Sequence, residues 1–184
     1  DGHEIGVYDI VVSSAPAEQT IELLRGFPSF TSHIDDVRMA GCWALMLQFS
    51  ERLDLDYDAA FVQESPLSWV ARNNSKPGRN STVEAWVLHA SPEWSAEHLE
   101  ETPEWAQEKL SAALWNATGL AGRPPEFAAA HRWRYALPTQ LYPDRCLYDA
   151  DLRVGACGDW CGEARVEGAF LSGAALAGLI LSEL

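Results

Sequence analysis

Between Met39 and Ala90 the chain reads as four strands joined by short connections. Met39–Ser50, Ala59–Gln63, Leu67–Ala71 and Thr82–Ala90 are runs of apolar, aromatic and β-branched residues. Ser65-Pro66 separates the second from the third, and a loop over Asn73–Asn80, with three Asn, a Pro and a Gly, precedes the fourth. A parallel pair needs a crossover of about a dozen residues or more, so a sheet built from these segments is mostly antiparallel. Two helices follow. Ser91-Pro92-Glu93 starts a short one and Thr102-Pro103-Glu104 a longer one that stops at Gly119; in each, a hydroxyl caps, Pro takes the first turn and Glu meets the positive end. Phe127–Leu137 is a further strand in which Arg132 and Arg134 alternate with Trp133 and Tyr135.

The two ends of the chain differ in character. Asp1–Gly6 reads as a turn entering a buried strand over Tyr8–Ser13, which ends at Ser14-Ala15-Pro16 and leads into a helix to about Arg25. Leu147–Tyr148 and Arg153–Cys157 read as a hairpin around Asp149-Ala150-Asp151, and a helix rich in small residues begins near Val166. The fold class is α+β.

Composition closes off several functions. With 13 basic against 27 acidic residues the net charge is −14, so the chain lacks the positive field that nucleic acid or an anionic membrane requires. The five histidines are scattered and no Cys-x-x-Cys pair occurs, so no metal site is expected. The four cysteines, Cys42, Cys146, Cys157 and Cys161, read as free thiols of a reducing compartment, and the expected location is cytoplasmic. No nucleophile elbow supports serine chemistry, and no catalytic residue is assigned. His98 is expected on a helix surface, His89 and His131 in the core or a cleft, and Glu97, Glu100, Glu101, Glu104 and Glu108 on a solvated face. Of the eight tryptophans, Trp43, Trp86 and Trp115 sit in element interiors and read as core.

The segment Val154–Gly173 carries the chemistry. A strand ends in Gly158, which lets a ligand approach the backbone. Asp159 then stands at the carboxyl end of that strand, where open α/β sheets bind ligands. The helix from Val166 offers free amides to an electron-rich group, and its small residues Ala169, Gly173 and Ala177 are expected to pack closely.

This segment resembles the C-terminal flavin motif of the FAD-dependent amine-oxidoreductase superfamily. Tyr8–Ala17 is similar to the strand on which those chains re-enter the FAD domain. Leu67–Gly78, Trp86–Ser95 and His131–Pro138 resemble the bacterial renalase family. The resemblance implies FAD as cofactor, with Gly158 and Asp159 at its ribityl-pyrophosphate and Arg165, Val166, Glu167 and Gly168 at the flavin ring. It places Trp69, Asn73, Trp133, Tyr148 and Trp160 at a substrate pocket. It divides the chain into a returning FAD-domain segment (1–26), a substrate domain (27–145) and a flavin-binding strand, turn and helix (146–184). The family's Gly-x-Gly-x-x-Gly fingerprint is absent, so the chain is expected to be the later part of a longer protein, partnered by an N-terminal FAD-binding part. The implied reaction oxidises dihydronicotinamide isomers of NAD(P)H, with oxygen as acceptor and hydrogen peroxide as product. A flavin-containing amine oxidase and a non-catalytic fragment of either enzyme stay open.

Overall fold

A computed structural model describes residues 6–79 and 82–183. The turn expected over the first five residues lies outside them. The chain divides into two compact units, Asp1–Met39 with Leu137–Leu184, and Ala40–Ala136. The boundaries expected at residues 26 and 145 both fall inside the first unit, because Phe30, Ile34 and Val37 join its core with Val154, Ala156 and Trp160.

The first unit is built on three short strands, β1 (Val11–Ser13), β7 (Leu147–Asp149) and β8 (Val154–Ala156), in the order β1-β8-β7. β8 runs parallel to β1 and antiparallel to β7. Its helices are α1 (Ala17–Leu23), α2 (Pro28–Thr31) and α5 (Val166–Ser182). Ser13 and Thr20 hydroxyls bond to each other at 2.8 Å, and Thr20 also donates to the Ala15 carbonyl at 3.0 Å, tying the β1–α1 corner together.

The second unit centres on a five-stranded sheet. Its strands are β2 (Arg38–Phe49), β3 (Ala59–Phe61), β4 (Leu67–Arg72), β5 (Glu84–Ala90) and β6 (Phe127–Gln140), in the order β3-β4-β5-β2-β6. β3–β4, β4–β5 and β2–β5 are antiparallel, as the short connections require. Helices α3 (Pro92–Glu97) and α4 (Pro103–Thr118) lie between β5 and β6 in sequence. Ser91 and Thr102 accept from the Trp94 and Trp105 amides, and Gly119 closes α4 at φ 68°. α4 buries Ala106, Leu110, Ala113 and Leu114 against Trp43, Leu45, Leu47, Val70, Trp86 and Leu88. Trp43 and Trp86 are core as expected, while Trp115 is only partly buried, edge-on to Phe49.

Under that face sits an ion pair that no local pattern announces. Arg72 is buried on β4. Its Nε donates to Glu84 Oε1 at 3.2 Å, Nη1 to Asp58 Oδ1 at 2.9 Å, and Nη2 to the Leu53 and Leu55 carbonyls at 3.2 Å. Glu84 Oε1 also accepts from Trp86 Nε1 at 2.7 Å and from the Leu53 amide at 3.1 Å. Each buried charge is thus met by several partners, which is the condition for keeping charge inside a core.

No helix among the described residues is long and apolar enough to cross a membrane.

Candidate functional site

In the first unit, β8 ends in a tight turn at the predicted position. The Cys157 amide donates to the Ser13 carbonyl at 3.0 Å, the Gly158 amide to Ser172 Oγ at 2.9 Å and the Cys161 amide to the Gly158 carbonyl at 3.2 Å. Ser172 therefore joins the Gly158–Asp159 turn to the second turn of α5. Gly158 has a packing reason to be glycine: a Cβ there would stand 2.6 Å from Trp160 Nε1 and 2.8 Å from its Cδ1. Asp159 is half-buried beside it.

α5 begins at Val166 with Arg165 as its N-cap, and no side chain caps it. Its first intrahelical bond runs from the Ala169 amide to the Arg165 carbonyl. The amides of Val166, Glu167 and Gly168 thus precede the helical ladder, and Val166 is 91% exposed. Arg165 pairs with Glu163. Gly168 is obligatory for local reasons, since a Cβ would fall 2.1 Å from the Glu163 carbonyl oxygen. The buried stripe of α5 is Gly168, Ser172 and Leu176, one residue before the stripe expected from Ala169, Gly173 and Ala177; Ala177 is exposed. Small size alone did not identify the packed face, because Gly155 on β8 makes room for Leu176 instead.

In the second unit, the sheet face opposite α4 is open. It carries Phe61, Trp69, Val87, His89, Met46, His131 and Trp133, with Phe61 83% and Trp133 55% exposed. Phe61 and Trp69 rings lie 4.8 Å apart and His131 and Trp133 rings 4.4 Å apart. β4 and β6 are separated by β5 and β2, so the strands that carry Trp69 and Trp133 lie about 14 Å apart in the sheet. An apolar floor of this kind can carry a flat ligand. His89 and His131 are exposed on this face rather than enclosed, because the β5 and β6 residues that face α4 are their immediate neighbours in sequence. Loss of water around the His89 imidazole, and secondarily the Lys76 charge, holds its pKa below the usual histidine value.

Of the expected pocket residues, Trp69, Asn73 and Trp133 belong to the second unit and Tyr148 and Trp160 to the first. Trp69 and Trp133 share the open face. Asn73 lies in the 3₁₀ turn just beyond β4, where its neighbour Asn74 accepts from the Ala85 amide at 3.0 Å. Tyr148 lies opposite Gly155 in the β7–β8 ladder, in a small hollow shared with Glu183, beside the C-terminal end of α5 rather than its N-terminus. Antiparallel pairing takes β7 away from the carboxyl end of β8, and Tyr148 goes with it. Trp160 is a core residue, 0% exposed, with its Nε1 donating to the Ala15 carbonyl at 3.0 Å. Among the described residues, no group of three or more His, Cys, Asp or Glu side chains could hold a metal.

Sequence reasoning passed over a second hollow, about 790 Å³, on the α4 side of this unit. Trp94 and Trp105 stack there at 5.6 Å, with His98 4.8 Å from each, so His98 belongs to an aromatic cluster rather than to open helix surface. The spacing of Trp94, His98 and Trp105 across two helices was the available signal. Glu100, expected on the solvated face, receives Arg134 at 2.6 and 2.9 Å and Arg132 at 3.2 Å, and the Arg134 hydrogen bond lowers its pKa.

No protein-family model matches the chain. Solved structures do. A protein provisionally named protoporphyrinogen oxidase, from Exiguobacterium sp. 255-15, superposes with a TM-score of 0.71 at 12% identity, over 95% of this chain and 41% of that one. Cyclohexylamine oxidase from Brevibacterium oxydans gives 0.70 at 12% identity, over 95% and 43%. A putrescine oxidase redesigned in its cofactor binding gives 0.67 at 14% identity, over 96% and 43%. The chain thus spans about two fifths of the length of these proteins. At such identities the likeness is one of architecture: the chain has the fold of the matched part of these structures.

Proposed function

We propose that this chain is the substrate-domain and C-terminal flavin-binding part of an FAD-dependent oxidoreductase of the renalase type, acting on dihydronicotinamide isomers of NAD(P)H. The observation that carries the reading is the strand, Gly158–Asp159 turn and α5, whose uncapped N-terminus leaves the Val166–Gly168 amides free. The donor set fits a flavin: those amides suit the electron-rich edge of its ring, and Asp159 suits the hydroxyl-bearing ribityl chain. Bound FAD would supply hydride acceptance from the substrate and reoxidation by oxygen, giving peroxide. Arg165 to Gly168 would orient the ring, and Gly158 would hold the turn backbone in place through Ser172. In the second unit, Trp69 and Trp133 would offer flat aromatic surface to a dihydronicotinamide, whose oxidation calls for position more than for an acid or base.

A flavin-containing amine oxidase is the second reading, favoured by the likeness to cyclohexylamine and putrescine oxidases. Against it, the resemblance implies that amine oxidases of this kind commonly carry a lysine on a substrate-domain strand, and β2, taken as that strand, reads Arg-Met-Ala-Gly-Cys-Trp-Ala-Leu-Met-Leu-Gln-Phe and holds none. The deciding experiment mixes the complete flavin-loaded protein anaerobically with 2- or 6-dihydronicotinamide isomers and, separately, with a primary amine, and follows the flavin absorbance. Fast bleaching by the isomers alone is expected. Bleaching by the amine alone moves the assignment to amine oxidase, and none by either removes both.

A further inference from the structure

The β7–β8 ladder pairs Leu147 with Ala156, Tyr148 with Gly155 and Asp149 with Val154. One step further along the same register, Cys146 stands opposite Cys157. The character of that pair follows from the third strand. The Cys157 amide donates to Ser13 on β1, so the polar groups of Cys157 face β1 and not β7. Cys146 and Cys157 are therefore a non-hydrogen-bonded antiparallel pair, the kind with Cα atoms about 4.5 Å apart and side chains on one face. A disulfide spans Cα separations of about 4.4–6.8 Å.

Position in the ladder, not burial, separates this pair from the other two cysteines. Cys146 is half-buried and Cys157 is 8% exposed, so Cys146 is the more accessible residue of the pair. Cys157 is among the causes that raise the Cys146 pKa, after desolvation and ahead of Asp144. Cys161 is 1% exposed, engaged with Ser172 and the Gly158 carbonyl, and pushed up to about 12, chiefly by desolvation. Cys42 lies on β2 in the other unit.

We propose that Cys146 and Cys157 form a redox site that closes to an intrachain disulfide on exposure to a peroxide. In the first step the Cys146 thiolate attacks a peroxide oxygen, the O–O bond breaks, hydroxide leaves and a sulfenic acid forms. In the second, the Cys157 sulfur attacks that sulfenic sulfur, the S–S bond forms, the Cys157 proton and the departing hydroxide leave as water, and the two thiols have together lost two electrons. The bond ties the entry of β7 to the residue just before the Gly158–Asp159 turn. No bound flavin is needed for it.

The test treats the purified reduced protein with hydrogen peroxide in mildly alkaline buffer, where thiolate is present, then blocks the remaining thiols and analyses non-reduced peptides by mass spectrometry. The expected product is a peptide pair linking Cys146 to Cys157, two hydrogens lighter than the reduced pair and released by a reductant. C146S should abolish it and accumulate no other intrachain disulfide, whereas C42S and C161S should leave it intact. Because Cys157 is nearly enclosed, C146S carries the test if C157S fails to fold. A link to Cys161 or Cys42, a disulfide only between molecules, or no disulfide with Cys146 oxidised singly would each overturn the assignment.

Discussion

On one face of the five-stranded sheet, Trp43, Leu45, Leu47, Val70, Trp86 and Leu88 are sealed by α4, and even the charged pair Arg72 and Glu84 finds every partner it needs. On the other face the same strands present Met46, Trp69, Val87 and His89, one residue out of phase, and much of that surface meets solvent. Both faces carry aromatic side chains. The difference lies in whether each group's free energy is already spent inside the chain or is left for a ligand. A closed face holds stability; an open apolar face is where binding can still change something.

Removing Arg72 should produce the largest effect. Arg72→Ala leaves Glu84 buried with its carboxylate uncompensated, and a loss of about 3–5 kcal/mol is expected in urea unfolding. A loss below about 1 kcal/mol would mean that the pair is solvated and that this face is not closed. Leu110→Ala, from the middle of α4, comes next. It should cost about 2–5 kcal/mol, depending on how far the cavity collapses, read from the same denaturation curves.

The open face should respond differently. His89 has a folded pKa below its ordinary 6.5, so the folded state takes up its proton less readily than the unfolded chain. Its contribution is present above pH 6.5 and is lost as pH falls through the lowered folded value. Wild type should therefore lose slightly more stability than His89→Gln across that interval; an equal loss would show that His89 titrates alike in both states. Trp133→Ala should be the mildest in stability, within about 0.5 kcal/mol, while the ligand-dependent bleaching of the flavin-loaded protein slows. A large stability loss with unchanged bleaching would make Trp133 a structural residue and erase the contrast between the faces.

Much of this architecture was legible in the chain. The short connections required antiparallel pairing, and the Ser-Pro-Glu and Thr-Pro-Glu signals with Gly119 bounded the helices, because these are local properties of a few neighbouring residues. The turn at Gly158–Asp159 and the start of α5 at Val166 were readable for the same reason. The faces on which the expected pocket residues lie were not legible. Trp69 and Trp133 reach one sheet face, whereas Tyr148 follows β7 away and Trp160 fills the core.

Most strand, turn and helix positions were determined by sequence alone, since each depends on residue types close together in the chain. The exceptions are β1, which spans only Val11–Ser13 of the buried strand expected over Tyr8–Ser13 and leaves Val11 and Val12 exposed, and the short α2, which no local signal announced. Facing was decided only by the tertiary structure. In β4 strict alternation would put Leu67 and Trp69 on the same side. A register shift between them, with Ser68 bonded to the Ala90 carbonyl at 3.0 Å, turns Trp69 to the open face and brings Val70 and Arg72 under α4. The pairing of Arg72 with Glu84, the stripe by which α5 packs and the opposition of Cys146 to Cys157 likewise depend on register between segments distant in sequence. A single-residue change in register reverses which side chains are buried, and the energy that selects it comes from the completed core.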